Sequence, residues 1–204
     1  MELSHAVRRR RMCRDFDGQP VDRAVVDRLL DLARRAPSAG FSQGFAFLVL
    51  EDERHRSRFW DATLPSDRRD DFGFPGLVRA PVIIVPLARA QTYLDRYAEP
   101  DKARAGLGES AESWPVPYWL VDTAFATMTL LLATVDAGLG ALFYGLDDYQ
   151  PVLAAFDVPP EWQPIGIVAI GHPSPGAMRA KEGSAATRPR RPIGDVVHRG
   201  SWRS

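Results

Sequence analysis

Residues 123–135, TAFATMTLLLATV, run for thirteen positions without a charge and are bracketed by Asp122 and Asp136. A membrane-spanning helix needs about 18 apolar residues or more, so this run is too short to cross a bilayer. The surrounding stretch, 117–138, reads as one long helix with apolar residues on nearly every face. A helix of that kind is stable in water only when other elements cover it. The chain therefore has to fold in layers around it, and 204 residues at 45% hydrophobic composition are enough for one such core.

Short apolar runs supply the covering elements. FAFLVLE (45–51) and APVIIVPLA (80–88) read as buried strands, with the prolines of the second expected near its ends. ALFYGL (141–146) and PIGIVAIGHP (164–173) read as two more. Asp22 is placed to cap a helix with an apolar stripe at Val25, Val26, Leu29, Leu30 and Ala33, which stops before Pro37. Shorter helices are expected at 5–10, 53–60 and 149–156, the last capped by Asp147 or Asp148. Residues 89–116 read as irregular, a lid or binding loop. Strands alternating with helices imply an α/β or α+β layered fold. A dinucleotide-binding Rossmann domain is disfavoured, because no Gly-rich strand-to-helix turn appears and the G-x-G in GLGALFYG follows a helix and enters a strand.

Charge is balanced overall but unevenly placed. VRRRRMCRDF (7–16) carries five arginines, and residues 174–204 carry six arginines and Lys181 against Glu182 and Asp195. Two basic ends on an acidic body point to a local anion site or to tails that dock on the body itself. Guanidinium groups bind phosphate through paired hydrogen bonds, and Arg10, Arg11 and Arg14 with Arg188, Arg190 and Arg191 are the candidates. Nucleic acid is a poor fit, since no aromatic residues interleave with the arginines and the acidic middle would repel a polyanion. The four histidines are scattered, so no metal site is expected. Gly40-Phe41-Ser42-Gln43-Gly44 matches the G-x-S-x-G of serine hydrolases, but it sits between a helix and a strand in the reverse of the required order. With Cys13 alone there is no intrachain disulfide, and the N-terminus has no apolar leader, so a soluble cytoplasmic protein is expected.

Read together, several segments resemble the FMN-dependent nitroreductase family. They are RRMCRDF (10–16), the PV that follows, APSAGFSQGF (36–45), AGLGA (137–141), PIGIVAIGHP and RPRRPIGDVV (188–197), in the family's order. The resemblance implies an α+β, three-layer α/β/α sandwich, a single domain over 1–204, intertwined as a homodimer with FMN at the subunit interface. It implies that Arg10, Arg11 and Arg14 hold the FMN phosphate and ribityl chain, with Met12 among them, and that Arg188 and Arg190 of the basic tail close on the same phosphate. Pro37, Ser38, Ala39 and Phe41 would lie against the isoalloxazine, and Tyr144 and Gly145 near its N5 edge. Hydride would pass from NADH or NADPH through the flavin to a small electrophilic acceptor such as a nitroaromatic or quinone. The alternatives are an FMN-binding protein without turnover and, more remotely, a Ser42 hydrolase. Lid aromatics Tyr93, Tyr97, Trp114, Tyr118 and Trp119 are candidate walls of the substrate site. Met12 stands where the family often has serine, Phe41 where it often has asparagine, and Gly44-Phe45 where it has Pro-Trp. APSxGFxQ resembles instead the flavin-fragmenting, BluB-type branch that makes dimethylbenzimidazole. That branch's aspartate and strand serine fall at Met12 and Tyr144, so both polar groups are replaced.

Overall fold

The computed structural model describes residues 1–69, 71–177 and 187–202. The predicted strands form one sheet: β1 (Phe45–Leu50), β2 (Val82–Ala88), β3 (Gly140–Tyr144), β4 (Gln163–Pro164) and β5 (Ile167–Gly171). The order is β1-β2-β5-β3, with β4 pairing β2, and each of these pairings is antiparallel. Alternation along β2 divides the core. Val82 and Ile84 face one side, with Val26, Leu29 and Ala33 of α2 (Arg23–Ala33) and Leu130, Leu131 and Ala133 of α5 (Tyr118–Asp136). Ile83, Val85 and Leu87 face the other, with Phe59 and Trp60 of α3 (Glu53–Thr63) and Val152 and Leu153 of α6 (Gln150–Ala155). The period of two thus builds an α/β/α sandwich of the α+β class.

Local signals place the helices. The Asp22 carboxylate accepts from the Ala24 N–H at 2.8 Å, capping α2 as its sequence suggests. Asp22→Ala is expected to cost about 1 kcal/mol, measured as a Tm lowered by about 2–4 °C. On α5 the buried hydroxyls of Thr123, Thr127 and Thr134 each donate to the carbonyl four residues back, so polar side chains sit in the apolar layer without unmet donors. α5 is the one helix among the described residues long and apolar enough to cross a membrane by length and composition. Its inward face packs on the sheet, whereas Phe125 and Met128 on the outward face remain 48% and 40% exposed.

Four expectations need correction. Residues 89–116 are not irregular throughout: 90–98 form α4 (Ala90–Ala98), burying Tyr93. PIGIVAIGHP is two strands rather than one, broken around Gly166, where a side chain would run into the Phe143 ring. Pro86 lies inside β2 rather than at an end. It fits there because β5 pairs with 82–84 and β4 with 87–88, so its missing N–H falls in the gap between them. Finally, α6 takes Tyr149 as its N-cap without a side-chain bond, while Asp148 accepts from the Gln150 N–H at 2.8 Å. The short helix at the N-terminus is α1 (Leu3–Arg9).

Candidate functional site

Between α1 and α2, residues 10–17 are laced onto the end of the sheet. Met12 bridges Ala141 in parallel, the Cys13 N–H donates to the Ala141 carbonyl at 2.9 Å, and Phe16 bridges Pro173. Cys13 and Phe16 are fully buried by this arrangement, and Arg11 and Arg14 are turned outward. Asp15 forms the knot: its Oδ1 accepts from Arg79 Nη2 at 2.6 Å and from Ser174 Oγ at 2.9 Å, and its carbonyl accepts from the Ser174 N–H. The tail therefore leaves the body beside the N-terminal arginine cluster.

The arginines differ in their surroundings. Arg11 Nη1 folds back onto the carbonyls of Arg8 and Arg10 at 2.7 and 3.0 Å, and the Arg14 guanidinium lies over the Phe74 ring, 5.6 Å from its centroid. Arg10 Nη1 is buried and has no hydrogen-bond acceptor among the described residues. A buried cationic donor left unmatched is costly, and an anion is the kind of group that would match it. Arg188 and Arg190 are exposed, and Arg191 Nη2 donates to the Asp195 carbonyl at 2.8 Å. Arg179, Lys181, Glu182 and Arg203, which contribute to the charge of the tail, lie outside the described residues.

The 37–44 loop follows α2. The Phe41 and Gln43 backbones have φ of 57° and 54°, a left-handed conformation uncommon outside glycine. Ser38 Oγ accepts from the Gln43 N–H at 3.0 Å. Ser42 Oγ donates to the Ala39 carbonyl at 2.6 Å, so its hydroxyl is bonded to backbone rather than to a base. Phe41 is 75% exposed. Pro37, Ser38 and Ala39 thus lie in a braced turn whose aromatic tip points to solvent in the single chain.

Tyr144 ends β3 opposite Ile167, with its side chain among the residues of the α3/α6 layer that Met12 also touches. Its Oη is buried without a partner among the described residues. Burial, helped by the neighbouring Tyr149, pushes the phenol above its ordinary range. Gly145 follows, with only the Tyr149 Oη within ordinary contact of a side chain built there. The structure brings Met12 and Tyr144 onto one apolar cluster along the β3 edge and sets the 37–41 loop beside α4.

The lid aromatics are packed together. Tyr93, Trp114 and Trp119 are buried, and Tyr97 meets the Trp114 ring edge-on at 4.7 Å; Tyr118 alone of the five is exposed. Sequence reasoning missed Asp122 as a participant. It is 2% exposed, and its Oδ2 accepts from the Ala39 N–H and from Tyr93 Oη, each at 2.8 Å. The available signal was the acid itself, set at the edge of an otherwise uncharged helical face.

The model of the nitroreductase family matches residues 7–172, from the arginine cluster through the end of β5. The chain belongs to the nitroreductase family. The nitroreductase match spans the 37–44 loop and Tyr144 and stops short of the basic tail. Among curated proteins the chain is 32% identical to a 5,6-dimethylbenzimidazole synthase of Rhodospirillum rubrum over 80% of this chain and 78% of the relative. It is 24% identical to an NADPH-dependent oxidoreductase of Staphylococcus aureus over 96% of this chain and 72% of the relative. In fold it is similar to a candidate nitroreductase of Exiguobacterium sibiricum solved in complex with FMN, with a TM-score of 0.70, 19% identity, and coverage of 100% of this chain and 98% of the other. Family and fold together place the chain among the nitroreductase-type oxidoreductases.

Proposed function

We propose that the chain is an FMN-dependent oxidoreductase that works as a homodimer and passes electrons from NADH or NADPH to a small electrophilic acceptor. The observation that carries this reading is Arg10, whose guanidinium is partly buried with one nitrogen unmatched among the described residues, in a segment that the family model covers. A phosphate supplies the missing acceptor at that nitrogen. Arg11 and Arg14 add positive charge on the outward side of the same segment. Arg188 and Arg190 of the basic tail would close on the same phosphate. Pro37, Ser38 and Ala39 offer small side chains on which a flat ring can lie, and Phe41 borders it. The backbone at Tyr144 and Gly145 lies at the end of β3, where an N–H just past the strand would stabilise negative charge. When bound, FMN supplies the hydride chemistry, and the protein positions donor and acceptor against it. No side chain is assigned as acid, base or nucleophile.

Homodimerisation is supported by uncovered apolar surface. Leu3 and Val7 lie one turn apart on α1, and Tyr118, Phe125 and Met128 share one face of α5, all at least 40% exposed. The tail adds Ile193, Val196, Val197 and Trp202, the last 81% exposed. A partner subunit would complete the cover that the apolar α5 requires.

The test is the absorbance spectrum of the purified protein followed by anaerobic titration with NADH and NADPH. We expect a flavin spectrum that bleaches with one or both. Bound flavin that does not bleach would favour a storage role, and colourless protein that FMN does not turn yellow would overturn the reading. The 32% identity to a dimethylbenzimidazole synthase gives a second reading, in which FMN is consumed. Met12 and Tyr144 in place of that branch's polar groups weigh against it. Chromatographic detection of dimethylbenzimidazole after incubation of reduced protein in air would support it.

A further inference from the structure

Asp122 is an expensive residue to keep where it is. A carboxylate removed from water costs several kcal/mol unless donors meet it, and the surrounding helix face is apolar. What it holds therefore indicates its purpose. Its Oδ2 binds one donor from the 37–44 loop, the Ala39 N–H, and one from α4, the Tyr93 hydroxyl. Burial and the carboxylate keep the Tyr93 phenol well above its usual range, so it remains a donor.

The same two segments are tied at three further points. Arg96 Nε donates to the Gly40 carbonyl at 2.9 Å, and Arg96 is itself held by both oxygens of Asp101 at 2.7 and 2.8 Å. The Arg89 N–H donates to the Gly44 carbonyl at 2.9 Å. The rings of Tyr97 and Tyr93 press so closely on Gly40 and Gly44 that a Cβ at either glycine would displace them. Within the loop, Phe41 and Gln43 hold strained left-handed backbones, which persist only where the surroundings over-determine them. The ties to α4 and α5 are that over-determination.

We propose that Asp122 is a positioning residue that locks α4 and the 37–44 loop into a single rigid wall, fixing Pro37–Phe41 against the flavin. The flavin part of this inference rests on the FMN reading above; the locking of the two segments does not. It follows that the 89–116 segment does not swing independently as a lid: α4 and the loop move together or not at all.

Hydrogen–deuterium exchange on the full chain tests the lock, with and without added FMN, in wild type, Tyr93→Phe, Asp122→Asn and Asp122→Ala. Tyr93→Phe keeps the ring and removes one hydroxyl, so it remains informative if Asp122→Ala does not fold. Exchange in peptides covering 38–44 and 90–98 is expected to rise together, by about tenfold or more, with β2 and β5 unchanged. In FMN-loaded protein, a wall displaced by about 1 Å is expected to slow acceptor reduction by up to ~10²-fold. Flavin affinity should stay within about threefold, and Asp122→Asn should recover part of the rate because its carbonyl still accepts. The inference is overturned if exchange in 38–44 is unaffected, if only one of the two segments loosens, or if protection falls uniformly across the sheet. Colourless wild-type protein with the paired loosening intact would instead strike the FMN reading and leave the lock standing.

Discussion

FMN is expected to bind about 10²- to 10⁴-fold more weakly when Arg10 and Arg190 are both replaced by alanine. Each charge-assisted phosphate contact contributes about 1.5–3 kcal/mol, and about 1.4 kcal/mol corresponds to a factor of ten. The two residues do not contribute alike. Arg10 Nη1 is already desolvated and unmatched among the described residues, so its contact with an anion carries little further desolvation cost. Arg190 is exposed and must be ordered first, which places it at the lower end of the range. Stability should show the opposite asymmetry. Arg10→Ala removes a buried donor unsatisfied among the described residues, so the FMN-free variant should melt no lower than wild type even though it binds FMN poorly. Titration followed by flavin fluorescence, with melting curves of the FMN-free proteins, measures both effects. Affinity within about threefold of wild type for the double variant would mean that these guanidinium groups do not hold the phosphate.

Phe59→Ala is expected to lower stability by about 3–5 kcal/mol, or roughly 6–20 °C in Tm. Phe59 is completely buried between α3 and the sheet and meets the Trp60 ring edge-on at 5.1 Å. Its removal leaves a hole in the close-packed cluster shared by α3, α6 and the sheet. A Tm within about 3 °C of wild type would show that the α3/α6 layer contributes little to folding. The contrast with Arg10 separates the two kinds of residue: one supports the sandwich, the other the ligand.

Much of the architecture can be read from the sequence because burial and periodicity are local signals. β2 is an almost unbroken apolar run since helices cover both its faces, and α2 has both a stripe and a cap. α4 escaped because its code is aromatic rather than aliphatic: Tyr93 and Tyr97 lie one turn apart and face tryptophans distant in sequence. Pro86 misled for a related reason, since only the pairing of β4 and β5 reveals the gap that accepts it. The arginine cluster was visible as charge, but charge alone did not distinguish Arg10 from Arg11 or Arg14. That distinction comes from how residues 12–17 are strapped to β3 and the end of β5. Asp122 was least legible, because its partners lie 83 and 29 positions away and one of them is a backbone N–H.

The buried thiol of Cys13 has a practical corollary. It is wholly enclosed, its Sγ–H directed to the Asp15 carbonyl at 3.2 Å, and burial raises its pKa. Alkylating reagents attack thiolates that they can reach, so the native chain is effectively blank to them. A cysteine engineered at Trp202 would be the unique labelling point on each copy, and paired spin labels there would report the span between two tails directly.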